Sequence, residues 1–213
     1  MTSRLPRFTL AIAVAILFVA GSIVAAQQLT QVWRNPEAGP LAFAGKKVIA
    51  VIMTGDQNLE VSGEEALVRE LNLRGVSGVA AYRMIPREEL KDAEKAKGWV
   101  VRAKAEGVVV MRVMSSDKET SVRPSMWVTT SSYSSLWSYW GTGWTSVYVA
   151  GKTETNRFVS VETLIYNVAK DQLVWAGISD ITNPKSMQKE VATLVTNVIE
   201  EMKKGGLIPK DAK

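Results

Sequence analysis

The chain has 213 residues, with 26 Lys and Arg against 21 Asp and Glu, and it contains neither Cys nor His. This length suits one domain with appendages, and 46% hydrophobic against 22% charged residues is typical of a folded protein. The lack of Cys excludes disulfides, thiolate nucleophiles, zinc–thiolate sites and a lipid-modified cysteine. The lack of His excludes catalysis through an imidazole base, including Ser-His-Asp hydrolysis.

The first 26 residues have the pattern of a signal peptide. Arg4 and Arg7 precede an apolar run over residues 10–20, and Val24 and Ala26 suit a cleavage site. We predict an exported protein, periplasmic or peripheral to the outer membrane; the alternative is an uncleaved N-terminal anchor. Removing this segment lowers the net charge from +5 to +3 and leaves no dense basic patch. Nucleic acid is therefore not an expected partner.

Prolines and composition divide the remaining chain. Residues 27–45, interrupted by Pro36 and Pro40, are predicted to form an extended leader. Residues 46–209 are predicted to form one α/β domain, and residues 210–213 are a tail.

Five segments are predicted to be strands. The apolar runs at 47–53 and 108–114 are typical of strands buried on both faces, and residues 79–83 form a shorter strand between them. Residues 158–168 and 173–181 pair as a hairpin because their apolar side chains alternate around a four-residue turn.

Helices are predicted from caps and periodicity. Residues 62–65 (Ser-Gly-Glu-Glu) form a capping box that predicts a helix start, and Gly75 its end. Pro86 suits the first position of a helix over 87–97, with a further helical stretch within 99–106. The last helix is predicted from apolar residues at helical spacing: Met187, Val191, Leu194, Val195, Val198 and Met202.

Together these elements predict the order β-α-β-α-β-β-β-α. Right-handed crossovers make the first three strands parallel, and the hairpin adds two more. The predicted fold is a single three-layer α/β domain around a mixed five-stranded sheet, with a long insertion between the third and fourth strands.

The insertion is unlike the rest of the chain. Residues 124–151 carry no charge and hold four of the seven Trp, diluted by Ser, Thr and Gly. Its aromatic residues are Trp127, Tyr133, Trp137, Tyr139, Trp140, Trp144 and Tyr148.

Two interpretations of these aromatic residues remain open. In one, they form a loop or hairpin that docks on a partner protein, a glycan or the membrane interface, because uncovered aromatic surface is costly in water. In the other, they fold back onto their own domain or belong to a flexible loop. A membrane-spanning hairpin is disfavoured, because residues 131–135 lack the alternation of a barrel strand.

A second candidate site lies at the predicted switch point of the sheet. If the first strand lies between the second and third, their carboxyl ends border a crevice of the kind that binds ligands. Asp56 and Asn58 follow the first strand, and Trp137, Trp140 and Trp144 follow the third. The alternative is that Asp56 and Asn58 only form a turn.

Motifs that suggest chemistry do not fit their context. Residues 146–153 resemble a phosphate loop without its first Gly, but Val147 and Val149 favour a strand. Ser115 and Lys118 have serine-hydrolase spacing at a strand end rather than on a helix. Residues 54–58 lack full calcium-loop spacing. We therefore expect no catalytic residue, no metal and no cofactor.

Several segments resemble a widespread family of exported bacterial proteins of unknown function, many of them lipoproteins. The resemblance rests on residues 161–167 (VETLIYN), 173–179 (LVWAGIS), 33–36 (WRNP) and 206–208 (GLI). The lipid-bearing Cys of its lipoprotein members is absent, so lipid anchoring is not expected. The strand order also resembles the anticodon-binding-type fold of the N-terminal domain of the Tol-system β-propeller protein and of the curli-secretion lipoprotein.

The resulting hypothesis is a non-enzymatic envelope protein that binds an envelope protein or glycan through the aromatic segment. The first alternative is a periplasmic small-ligand or glycan-binding protein using the crevice. A Ser-Lys or carboxylate hydrolase is a weaker alternative. The oligomeric state does not follow from the sequence.

Overall fold

A computed structural model describes residues 29–38, 43–116, 124–145, 147–149, 158–182 and 184–209. The predicted signal peptide and the tail lie outside the described residues, as does Lys118. None of the described helices is long and apolar enough to cross a membrane.

Six strands and seven helices are formed by the described residues. The strands are β1 Gln31–Arg34, β2 Lys47–Met53, β3 Ser77–Ala80, β4 Gly107–Ser116, β5 Phe158–Asn167 and β6 Gln172–Thr182. The helices are α1 Gln57–Asn72, α2 Ala81–Met84, α3 Ala93–Arg102, α4 Pro124–Thr129, α5 Ser131–Ser134, α6 Leu136–Gly143 and α7 Met187–Lys204.

All six strands form one mixed sheet in the order β1-β6-β5-β4-β2-β3. The strand β2 is parallel to both of its neighbours, β3 and β4, whereas β5, β6 and β1 are added antiparallel. The condition set for the switch point is met, because β2 lies between β3 and β4. The predicted strand count of five is wrong, because four residues of the leader pair with β6. A strand this short, ending before Pro36, gives no long apolar or alternating run.

Both faces of the sheet are covered, which confirms the predicted three layers. Val48, Ala50 and Ile52 of β2 point into a core with α1 and α7, while the alternate side chains join a second core with α3 and α6. This alternation explains why the strand is apolar throughout.

Three predicted element boundaries are wrong. The first helix begins at Gln57 rather than at Ser62, because the Asp56 carboxylate accepts hydrogen bonds from the amides of Asn58 and Leu59 (2.9 and 3.2 Å). The strand predicted over 79–83 ends at Ala80, where α2 begins. The second long helix begins at Ala93 rather than after Pro86, since Asp92 caps it.

Candidate functional site

The aromatic segment folds into three short helices, α4 to α6, on the same face of the sheet as α3. Five of its seven aromatic side chains are buried: Trp127, Tyr133, Tyr139, Trp140 and Tyr148. A protruding loop is therefore wrong for the described residues, and packing on the protein's own domain is the interpretation that the structure supports. Burial of Trp127, Tyr139 and Trp140 is favourable because their polar atoms find hydrogen-bond partners inside the domain.

A buried carboxylate on β5 holds two of these rings. The Trp127 indole nitrogen donates to Glu162 Oε1 at 3.0 Å, and the Tyr139 hydroxyl donates to Glu162 Oε2 at 2.6 Å. Arg112, which lies directly opposite Glu162 on β4, has its Nε 3.8 Å from Oε2. The Glu162 side chain is completely buried. It therefore joins α4 and α6 to the sheet.

Glu162 and Arg112 are charged residues of the protein interior that were not among the predicted site residues. The available signal was a pair of opposite charges, each inside an otherwise apolar strand. Unpaired charges are too costly to bury, so two such charges in neighbouring strands indicate a buried ion pair.

Burial and the neighbouring charges determine which side chains of this cluster stay protonated. Burial, and next the Glu162 carboxylate, raise the pKa of Tyr139 and of Tyr166 well above the usual value for a phenol. Burial lowers the pKa of the Arg112 guanidinium, but the surrounding Tyr139, Glu162, Tyr133 and Tyr166 together outweigh it, so its pKa lies above the ordinary value. The phenols therefore stay protonated donors and Arg112 stays charged. This arrangement fits a structural ion pair rather than an acid–base site.

The switch-point crevice is filled by the chain itself. The Tyr148 amide donates to the Val113 carbonyl, and the Gly55 amide donates to the Tyr148 carbonyl, both at 2.7 Å. A Cβ on Gly55 would lie 2.9 Å from Val149 Cγ2. The expected ligand crevice is therefore closed by residues 147–149. Asp56 caps α1, a local structural role close to the turn alternative, and Asn58 is exposed in the first turn of the helix.

The remaining aromatic residues of the segment line an outer surface with cations above them. Lys97 Nζ lies 5.8 Å from the centroid of the Trp137 ring, and Lys91 Nζ lies 5.8 Å from the centroid of the Trp144 ring. On α3, Arg102 Cζ lies 4.2 Å from the centroid of the Trp99 ring. All three indoles are partly buried. We call these six residues the cation–aromatic face.

A separate groove of about 270 Å³ lies where β1 ends. It is bordered by the turn after β1, the start of β6 and the helices α4 and α5. We call it the β1 groove. Its lining comprises Trp33, Asn35, Pro36, Glu37, Trp127, Ser134, Gln172 and Leu173. Trp127 is the one predicted site residue that reaches it.

A second buried carboxyl, that of Glu64 on α1, is held against the backbone. Glu64 Oε1 accepts from the Ile52 amide at 3.1 Å, and Oε2 accepts from the Tyr82 amide at 2.9 Å. Burial raises the Glu64 pKa from 4.5 to about 8, although these hydrogen bonds oppose the shift, and the nearby Glu60 carboxyl adds to it. Within the described residues, no three acidic side chains cluster as a metal site would require.

This shift makes stability depend on pH. Between pH 4.5 and 8, the folded state keeps a proton on Glu64 that the unfolded state has lost. The free energy of unfolding therefore falls as the pH rises through this window, by a few kcal/mol at most. We expect Glu64→Gln to flatten this slope in urea titrations at pH 5, 6.5 and 8, whereas Glu88→Gln on the surface leaves it unchanged. An equally steep slope in Glu64→Gln contradicts the prediction.

Comparisons with known proteins show distant structural relatives only. No protein-family model and no curated protein matches the sequence. Two structures of the PelC dodecamer from Paraburkholderia phytofirmans, one of them a variant, have TM-scores of 0.43 at 16% and 15% identity. They cover 79% and 83% of this chain and 95% and 96% of the PelC chains. Lipoprotein GNA1162 from Neisseria meningitidis has a TM-score of 0.38 at 12% identity, covering 75% of this chain and 99% of its own.

At this level of similarity, neither the assembly nor the partners of those proteins carry over. The resemblances to an exported family and to the anticodon-binding-type fold stay predictions.

Proposed function

We propose that this protein is a non-enzymatic, exported cell-envelope protein that binds a partner protein through the cation–aromatic face. The observation that carries the proposal is the pairing of three partly buried indoles with three cations on one helical layer. Tryptophan and arginine are enriched among the residues that dominate binding energy at interfaces.

The surface between these indoles suits a partner because covering it costs little desolvation. Ser138, Gly141 and Thr142 of α6 are exposed and uncharged, and α6 packs closely on α3, where a Cβ on Gly141 would lie 3.8 Å from Ala93. Cations lie above the indoles, so a partner with exposed carboxylates would gain attraction without leaving the lysines unpaired.

Export and the absence of catalysis are parts of the proposal that rest on other features. Export is supported by the basic and apolar pattern of residues 1–26. A non-enzymatic role is supported by a composition without His and Cys. It is supported further by Glu64 and Glu162, whose oxygens are occupied by backbone or ring donors.

Photo-cross-linking in the cell envelope tests the proposed face. A benzoylphenylalanine in place of Ser138 on α6 is expected to give a discrete adduct. The same probe in place of Thr193, exposed on α7, reports the opposite face of the sheet. We expect Trp137→Ala with Lys97→Glu to weaken capture at Ser138 about tenfold, since losing an interface anchor costs more than 1 kcal/mol.

A matched charge reversal is Lys189→Glu on α7, which is expected to leave capture unchanged. Because every variant keeps residues 1–26, any membrane association of that segment is common to all of them. Equal adducts from positions 138 and 193, or full capture by the double variant, would contradict the proposed face. A second measurement adds purified wild type and the double variant to protein-free anionic vesicles. If the wild type binds the vesicles and the double variant does not, the partner is a lipid surface, and the proposal of a protein partner is overturned.

A further inference from the structure

The β1 groove has features of a ligand site and shares no residue with the cation–aromatic face. Trp33 on β1 is partly buried and forms one wall, and Trp127, 2% exposed, forms the floor. Pro36 and Leu173 extend this apolar surface. The groove thus offers an indole wall that is reachable from solvent.

The shape of the groove is fixed by hydrogen bonds. The Asn35 side-chain amide donates to the Leu173 carbonyl at 3.0 Å, and its oxygen accepts from the Glu37 amide at 2.9 Å. These two bonds hold the turn after β1 against the start of β6. The Trp127 ring is held in turn by its hydrogen bond to Glu162. A site whose walls are already in place binds without the cost of ordering them.

Three polar residues, Glu37, Ser134 and Gln172, complete the lining of the groove. Glu37 and Ser134 are exposed and Gln172 is partly buried, and we call these three residues the rim. Ser134 Oγ donates to the Ser131 carbonyl at 2.8 Å, so its lone pairs remain to accept a hydrogen bond. Carboxylate, amide and hydroxyl together provide several acceptors and an amide donor beside an aromatic ring.

From this arrangement we infer that the β1 groove binds an uncharged glycan through one or two sugar units. A pyranose has an apolar C–H face that covers an indole ring, and its edge carries hydroxyls that donate to a carboxylate and exchange hydrogen bonds with an amide. A volume of about 270 Å³ lies just below the usual range of about 300–1,000 Å³ for ligand sites, which favours a short glycan segment. Glu37 disfavours acidic sugars by charge repulsion.

Titration of the full-length protein with cellotetraose and with chitotetraose tests this inference. The indole N–H signals of the seven Trp are followed by NMR, with Trp33 assigned by Trp33→Phe, and affinities are measured by calorimetry. We expect at least one of these neutral tetrasaccharides to shift the Trp33 signal saturably. Trp33→Ala and Gln172→Ala are each expected to weaken binding, Trp33→Ala by about tenfold or more.

Leu73→Ala, an exposed position on the other sheet face, serves as the control and is expected to bind normally. The remaining indole signals of Trp33→Ala and Gln172→Ala are compared with those of the wild type to check that each variant keeps the fold. If neither tetrasaccharide shifts the Trp33 signal, or both rim and wall variants bind like wild type, the inference is overturned. Equal affinity for trigalacturonate would overturn the assignment to an uncharged ligand. Because the groove and the cation–aromatic face share no residue, failure here leaves the cross-linking result unaffected.

Discussion

Replacing Glu162 with Ala is expected to destabilise the protein by about 3–5 kcal/mol, the largest effect of any single carboxyl among the described residues. The substitution leaves the Arg112 guanidinium buried without its carboxylate, 3.8 Å away in the wild type. It also removes the acceptor for the Trp127 indole and for the Tyr139 hydroxyl, both inside the core. Unpaired buried donors cost about 1–3 kcal/mol each. Urea denaturation monitored by far-UV circular dichroism measures the loss.

A double-mutant cycle separates the ion pair from general packing. Glu162→Leu and Arg112→Met are each expected to be strongly destabilising, whereas the double variant is expected to lose clearly less than the sum of the two, because neither charge is then left alone. Glu88→Ala, at an exposed turn, is expected to change stability by less than about 0.5 kcal/mol. Additive losses in the cycle would show that the two side chains act independently and would contradict the assigned pair.

The strands of the core could be predicted from the sequence because burial on both faces leaves a local mark. Residues 47–53 and the hairpin lie within a residue or two of β2, β5 and β6. The hairpin pairing of β5 with β6 and the parallel direction of β2, β3 and β4 could also be predicted, the latter from the crossover rule. In contrast, β1 forms by pairing with a strand more than 130 residues away in sequence, and no local sequence pattern predicts it.

Helix starts were harder to predict because two good caps stand close together. Asp56 and Ser62 both carry side-chain acceptors suited to an N-cap. The structure uses Asp56, and this choice places Leu59 in the core one turn earlier. Glu65, assigned to the capping box, instead accepts from the Tyr82 hydroxyl at 2.7 Å. The competition is decided by tertiary contacts that the sequence does not display.

The aromatic segment shows why a composition signal alone cannot distinguish a core from a docking surface. Loss of charge is required for burial against the protein's own sheet and equally for burial against a partner. What separates the two is the location of hydrogen-bond partners, and these lie far away in sequence. Trp127 reaches Glu162 and Trp140 reaches the Leu90 carbonyl, over separations of 35 and 50 residues. That Trp137 and Trp144 are only partly buried could be assigned only once these contacts were known.

Two tryptophans three residues apart on α6 are expected to respond very differently to substitution. Trp140 is completely buried, and its indole nitrogen donates to the Leu90 carbonyl at 2.7 Å. Trp140→Ala removes one of the two buried tryptophan rings of the second core and takes the indole donor away from that carbonyl. We expect a loss of about 3–5 kcal/mol in the free energy of unfolding. Trp137 is only partly buried under Lys97, so Trp137→Ala is expected to cost about 1 kcal/mol.

Trp140→Phe divides the Trp140 effect into its parts. The phenyl ring fills most of the space of the indole, but the hydrogen bond to the Leu90 carbonyl is lost. The expected loss in the free energy of unfolding therefore lies between those of Trp137→Ala and Trp140→Ala, and the same urea titrations measure it. Partner binding is expected to depend on the two residues differently from stability. Trp137 contacts the proposed partner directly, whereas Trp140 only holds α6 in place. A Trp137→Ala variant that unfolds like Trp140→Ala would mean that both rings belong to the core. The surface of α6 would then have no aromatic anchor to offer a partner.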